Sequence, residues 1–385
     1  MPAFFIGKNL MVLKQPYESK VNNFDWDSIY APKQVYFGTK DPRRRLYYYD
    51  EENDLNMYFS TRMICRAKKI PNKRNYKILS PLPENFHTDM SFTDCCIDST
   101  KIILSKLDGR TLNLMWSGGI DSTVVFWALI GTGHPFHIHF DNTAKIEHPE
   151  LWERIHNNEF KQITRCNTGE GAGMIPRTMD PEHVFVMGEP GDNIHGAGRV
   201  FLWPKEERNK PYQENVPGWV ARHLLPSVSV VLNDPNANLK QWHWAWSFMC
   251  KYQYCCVRAI RNFNLCPYPR FGRAPNCILF YDTDNFNRWS ITNQTNNSDW
   301  QELREYKMPA KDFILASGDS QHYRDNKLKV PSSNRDRLNM FEKPMPGFDP
   351  TEDYMLVIKR TFGATAPEIM YDGKSLCNRD VRHLP

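Results

Sequence analysis

The stretch Leu112-Asn113-Leu114-Met115-Trp116-Ser117-Gly118-Gly119-Ile120-Asp121-Ser122-Thr123 decides the fold. Thr111 to Trp116 is a short apolar run ending at a turn signal, which predicts a buried strand. Ser117-Gly118-Gly119 then supplies a tight turn with no Cβ in the way of a ligand. From Ser122 onward, Val124, Val125, Trp127, Ala128 and Ile130 predict a helix lying on a sheet, stopped by Gly131 and Gly133. The first amides of such a helix point into the turn and carry the positive end of its dipole, so the turn is an anion site. Asp121 inside an anion site makes sense when a divalent metal accompanies the phosphates.

Working outward, Phe136-His137-Ile138-His139-Phe140 reads as a second strand ending at Asp141, on the edge where ligands collect in a parallel sheet. His137 and His139 alternate with apolar residues and are read as hydrogen-bonded sheet histidines. Pro149 opens a helix through Trp152 and Ile155, and Gln162-Ile163-Thr164 reads as a third strand. Gly169-Glu170-Gly171-Ala172-Gly173 imitates a nucleotide fingerprint but lacks the flanking strand and helix, and is read as a mobile loop. The opening logic recurs at His183-Val184-Phe185-Val186-Met187-Gly188-Glu189-Pro190-Gly191-Asp192-Asn193-Ile194-His195-Gly196. There an apolar strand ends in a glycine turn carrying Glu189 and Asp192. A second strand end bearing carboxylates, facing an anion loop that bears Asp121, is how a magnesium-pyrophosphate site is built.

Both motifs resemble known ones. Ser117-Gly118-Gly119-Ile120-Asp121-Ser122 resembles the pyrophosphate loop of the N-type ATP pyrophosphatases, which cleave ATP between the α and β phosphates and activate a substrate as its adenylate. Gly188-Glu189-Pro190-Gly191-Asp192-Asn193-Ile194-His195-Gly196 resembles the G-E-G-A-D-E-L-F-G signature of the synthetase domain of asparagine synthetases and β-lactam synthetases, with Pro190 in place of a glycine and Asn193 in place of an acid. The resemblance implies an α/β fold: a Rossmann-like (HUP-type) parallel sheet sandwiched by helices. It implies that Ser117, Gly118, Gly119 and Ser122 hold the pyrophosphate of ATP, that Asp121 and Asp192 hold Mg2+, and that backbone at Met115 and Gly188 holds adenosine. Glu189 would lie by the reacting substrate. Tyr306-Lys307-Met308-Pro309-Ala310-Lys311 looks like the short "K-x-x-L-R" helix of the family. Tyr323-Arg324-Asp325-Asn326-Lys327-Leu328-Lys329 looks like the segment whose lysine reaches the α-phosphate. Lys327 is the first choice for that lysine, Lys329 the second, and Arg324 a support.

Three regions follow: a smaller N-terminal α+β unit over 1–105, the ATP pyrophosphatase/synthetase domain over 106–335, and a C-terminal extension over 336–385. The chain's 385 residues are enough for two domains and a sizeable core. Strand-like pieces occur at Gln34–Phe37, Leu46–Tyr49 and Tyr354–Ile358. Arg43-Arg44-Arg45 and the cluster Arg66, Lys68, Lys69, Lys73 and Arg74 read first as solvated loops and second as a surface for an anionic partner such as RNA. Glutamine-dependent relatives begin with a cysteine nucleophile after Met1; here Pro2 stands there, so release of ammonia from glutamine by that route is not expected. Ten irregularly spaced cysteines without a C-x-x-C read as reduced core thiols of a cytoplasmic protein. No stretch is apolar enough to predict a membrane span. Asn238 to Phe263, rich in aromatics, reads as a core helix.

The expected function is an ATP-dependent synthetase. It would adenylate a substrate carboxylate or carbonyl, release pyrophosphate, and pass the activated group to ammonia or an amine. The alternatives are an enzyme of the same loop type that modifies a nucleobase or RNA, and a non-catalytic nucleotide-binding module.

Overall fold

The computed structural model describes residues 64–69, 78–140, 142–167, 182–196, 200, 206–216, 218–256, 277–296 and 304–327. Lys73, Arg74, Arg43 to Arg45, the loop 169–173, Lys329, the strand-like pieces at 34–37, 46–49 and 354–358, and the extension 336–385 lie outside them.

Among the described residues five strands form one sheet: β1 (Thr111–Met115), β2 (Phe136–Phe140), β3 (Ile163–Asn167), β4 (His183–Met187) and β5 (Cys277–Leu279). Their order is β3-β2-β1-β4-β5 and every pairing is parallel. The helices used below are α1 (Phe92–Ser105), α2 (Ile120–Ile130), α3 (Asn142–Glu147), α4 (Pro149–His156), α5 (Gly191–Ile194), α6 (Leu239–Trp246), α7 (Asp284–Asn296), α8 (Met308–Ala316) and α9 (Gln321–Asn326). An all-parallel sheet joined through helices is an α/β architecture, consistent with a Rossmann-like fold.

Apolar alternation places Leu112, Leu114 and Trp116 beside Phe136, Ile138 and Phe140 on one face. Phe126 of α2 packs there on Phe136, and Trp152 of α4 on Phe140, at 6.3 and 4.7 Å between ring centroids. α1 and α8 pack on α2. The opposite face is more polar. Asn113 and His139 are buried on it, with His139 Nε2 and Asn113 Oδ1 2.9 Å apart. Burial, and then the neighbouring His137 and His183, bring the His139 pKa down to about 4, so this imidazole is a neutral sheet histidine, as its alternation with apolar residues predicts.

The chain crosses from β1 to β2 on one side and returns to place β4 on the other. The gap between the carboxyl ends of β1 and β4 is therefore the switch point where ligands bind in open α/β sheets.

The aromatic stretch after Asn238 is core, with Trp242, Trp244 and Trp246 all buried. Residues 257–263 of that stretch lie outside the described ones, and the helix before them differs from the expected continuous one. α6 starts at a capping box between Asn238 and Gln241 and widens into a π-helical turn at Ser247–Lys251. Carbonyls of that turn take amides from an earlier strap: Ile64 N donates to Cys250 O at 2.7 Å and Arg66 N to Met249 O at 2.9 Å.

Arg66 is not the solvated cation its basic neighbourhood predicts. It is buried over the rings of Tyr252 and Phe248, and it donates to Ser80 O, Pro81 O and Asn287 Oδ1. Stacking of the planar guanidinium on aromatics offsets its burial, and its Nε and Nη2 keep hydrogen bonds while Nη1 has no hydrogen-bond partner among the described residues. The described cysteines are free thiols, and all but Cys166 are buried. Among the described residues no helix is long and apolar enough to cross a membrane.

Candidate functional site

The loop after β1 is held by its own hydroxyls. Ser122 Oγ donates to Gly119 O at 3.0 Å and accepts from Ser117 N at 3.2 Å, and the Ser117 and Ser122 hydroxyls are 3.2 Å apart. Gly119 is the N-cap of α2 and has no side chain to cap it, so the helix's first turn depends on neighbours and ligands for partners.

Glycine is required at several points for close packing. Gly118 has φ +74°, and a Cβ there would lie 2.6 Å from Glu147 Cβ and 2.7 Å from Ala144 O of α3. The absent Cβ thus admits α3, in addition to whatever ligand approaches. A Cβ on Gly188 would lie 2.8 Å from Asp121 C and Ser122 N, so β4 ends directly against the first turn of α2. A Cβ on Gly191 would strike the Asp121 carboxylate and lie 2.9 Å from Tyr281 Cε2. The two motifs therefore interlock through glycine.

That interlock brings the two aspartates together through a third residue. Lys307 Nζ lies 2.5 and 2.6 Å from the two oxygens of Asp121 and 2.5 Å from Asp192 Oδ1. Carboxylate oxygens each 2.5 Å from one nitrogen are no more than 5.0 Å apart. The Lys307 side chain is fully buried, whereas those of Asp121 and Asp192 are 21% and 38% exposed. The acids can be reached from solvent and the cation lies behind them.

Lys307 is the N-cap of α8 with φ +63° and ψ +32°, a left-handed conformation uncommon for a residue with a side chain. Tyr306 beside it is anchored by a 2.6 Å bond from its hydroxyl to Gly196 O. Tyr281, at the end of β5, aims its hydroxyl at Asp121 O, 3.4 Å away.

His195, three residues after Asp192, is buried among the rings of Phe92, Trp289 and Tyr281. Its Nε2 has no hydrogen-bond partner among the described residues. Burial first, and then the Lys307 charge, hold its pKa well below the ordinary histidine value, with Asp192 opposing. It is a neutral wall of the site.

The other residues singled out in the sequence lie around this corner. Met115 ends β1 and is buried. Gly188 O accepts from Gly191 N at 3.2 Å. Glu189 is half-buried just past β4. Burial, and then the charges of Asp282, Cys255 and Glu189, raise the Cys256 thiol pKa well above its usual range, so Glu189 faces toward the chain that follows the π turn. Asn193, which replaces an acid, is buried and donates to Ser247 Oγ at 2.8 Å and Ser247 O at 3.1 Å. It anchors the π turn.

Lys327 occupies a different corner. Its ammonium bonds to the carboxylate and the carbonyl of Glu147, on the α3 side of Gly118. Both side chains of that pair are at most 6% exposed. Tyr323 reaches Gly118 O from the same helix end, at 3.4 Å, and stacks on His148 with centroids 3.9 Å apart. His148 Nδ1 accepts from Leu151 N, and its Nε2 lies 3.0 Å from Asp319 Oδ2. One nitrogen accepting and the other donating fixes the neutral tautomer, and burial lowers the pKa with Asp319 opposing. Arg324 is bonded to Asp312 and Asp325 at the surface.

Lys307 is the residue that sequence reasoning missed. Its signal was present: Pro309 marks the start of a helix, so Lys307 falls on the cap, at the lysine of the K-x-x-L-R-like segment.

Among the described residues no group of three or more His, Cys, Asp or Glu side chains is placed to hold a metal. A pair of aspartates is nonetheless the donor set Mg2+ uses when substrate phosphates and water complete its shell. The chain matches no protein-family model, and no curated protein is similar to it in sequence.

Proposed function

We propose that this chain is an ATP-dependent synthetase of the adenylate-forming, pyrophosphate-releasing type, with the HUP-type version of the Rossmann-like fold. The supporting observation is that two glycine turns, at the ends of adjacent parallel strands, deliver Asp121 and Asp192 to one cation, Lys307.

In this reading the triphosphate lies across the ends of β1 and β4. The α2 amides and the Ser117 and Ser122 hydroxyls receive the pyrophosphate. Asp121 and Asp192 hold Mg2+, which when bound offsets phosphate charge. Met115 and Gly188 flank adenosine through their backbone. Lys307 lies where a cation would meet negative charge developing at the α-phosphate. A substrate carboxylate or carbonyl oxygen attacks that phosphorus, the bond to the bridging oxygen breaks, and pyrophosphate departs. Ammonia or an amine then displaces AMP, and Glu189 orients the amine or takes its proton.

A small-molecule acceptor is favoured over RNA because Arg66, one member of the second basic cluster, is in the core. The test is ATP–pyrophosphate exchange and AMP formation across a panel of carboxylic acids with ammonia, in wild type and Asp121→Asn. Exchange that requires Asp121 supports the proposal. Nucleotide binding with no exchange for any acceptor leaves a non-catalytic module in its place.

A further inference from the structure

We infer that Lys307 is a built-in counter-cation that keeps a free divalent ion off the Asp121–Asp192 pair until phosphate groups take its ammonium over, so that metal enters only together with nucleotide. The inference rests on the reading of this corner as a metal–nucleotide site, and it adds an order of binding.

The first observation is occupancy. One ammonium nitrogen lies within 2.6 Å of both oxygens of Asp121 and of Asp192 Oδ1. A divalent ion held by both carboxylates would have no Asp121 oxygen to use that the ammonium does not already occupy. Two cations cannot share that position.

The second is what expulsion costs. The Lys307 side chain is fully buried, and its nitrogen lies against the two aspartates with the Tyr306 ring 5.4 Å away. The neighbouring His195 imidazole carries no negative charge that could replace them. A metal arriving alone would strand a buried ammonium without a counter-charge, and proteins avoid that state. Phosphate oxygens arriving with the metal remove the penalty, because they give the ammonium a new partner.

The third is reach. The Lys307 backbone is fixed in its left-handed cap conformation, its carbonyl accepts Lys311 N at 3.0 Å, and Tyr306 is tied to Gly196. The ammonium can then move only by rotating its own side chain, within reach of the β1 and β4 ends where the phosphates are proposed to lie. Metal and nucleotide are then linked: each raises the affinity of the other by the same factor.

The experiment is Mn2+ binding, followed by water-proton relaxation, to the full chain with and without α,β-methylene ATP. It compares wild type with Lys307→Met, Lys307→Gln and the double variant Asp121→Asn/Asp192→Asn. Without nucleotide, the Lys307 variants should bind Mn2+ roughly tenfold or more tightly than wild type, within the usual range for coupled sites. With α,β-methylene ATP the gap should close. Equal affinities without nucleotide overturn the inference. If the Lys307 variants do not fold, wild type alone decides: Mn2+ bound as tightly without the analogue as with it also overturns it. Undiminished Mn2+ uptake by the double variant in the presence of the analogue shows instead that the metal–nucleotide reading itself is wrong.

Discussion

Two lysine–carboxylate corners flank the same glycine loop, and they are built for opposite ends. At one, Lys307 faces Asp121 and Asp192, whose side chains are 21% and 38% exposed. At the other, Lys327 faces Glu147 and both side chains are all but sealed. The charges are of the same kind. Only at the first corner can an incoming ligand reach the acids, so only there is the lysine's partner exchangeable. At the second, Glu147 lies where a Cβ on Gly118 would fall, so the pair braces the loop from behind. A buried lysine is informative about function when the acid it faces is still open to solvent.

The contrast can be broken most sharply at the sealed corner. Glu147→Ala leaves the Lys327 ammonium in the interior without that carboxylate and should cost about 3–5 kcal/mol in urea unfolding. Glu147→Met/Lys327→Met together should recover most of the loss. An additive double variant would mean the pair does not act as a unit.

At the open corner the ordering reverses. Asp192→Asn should lower ATP–pyrophosphate exchange roughly 10²–10³-fold while the melting temperature stays close to wild type. A large loss of stability with activity retained would make the open corner structural too.

Gly191→Ala probes the interlock, since its methyl would meet the Asp121 carboxylate and Tyr281. Overpacking of this kind costs about 1–3 kcal/mol, and here it should show as weaker nucleotide binding in calorimetry before it shows as unfolding.

The smallest effect is in pH. His148 at the sealed corner, His195 at the open one and His139 on the sheet all have lowered pKa values, His139 to about 4. The unfolded chain therefore binds more protons than the native one below pH ~6.5, the ordinary histidine value. Stability is full above that pH and falls as pH drops toward each native value, by at most about 1.4 kcal/mol per unit per histidine. Urea midpoints from pH 7.5 to 5 should fall, and His139→Gln should flatten the slope.

Much of this was legible because it is local. An apolar run, two glycines and a second apolar run announce strand, turn and helix, and the observed β1 and α2 begin and end within a residue or two of where those signals put them. The ends of β2 at Phe140 and of β4 at Met187 were readable for the same reason; Asp141 lies outside the described residues. That Asp121 and Asp192 lie side by side follows once β1 and β4 are neighbours, but no single-strand pattern states the strand order. The cap position of Lys307 was legible, but the acid that each lysine faces was not. Lys307, Lys327 and Lys329 all stand in basic, helix-flanking segments, and composition does not reveal which ammonium is turned inward or toward which acid. Arg66 was misread for a related reason: its neighbours Lys68 and Lys69 are exposed, and burial of one arginine among them depends on Tyr252 and Phe248, nearly two hundred residues away. The π turn was hidden as well, since the strap that uses its carbonyls lies far upstream.

The three charges at the open corner come from residues 121, 192 and 307, so during synthesis they emerge in the order acid, acid, base. Until α8 is made, a sheet closing around β1 and β4 presses two like charges together. A ribosome-bound fragment ending ahead of residue 304 should therefore be held apart at this corner by its own repulsion, and arrival of the late lysine would allow the last closure.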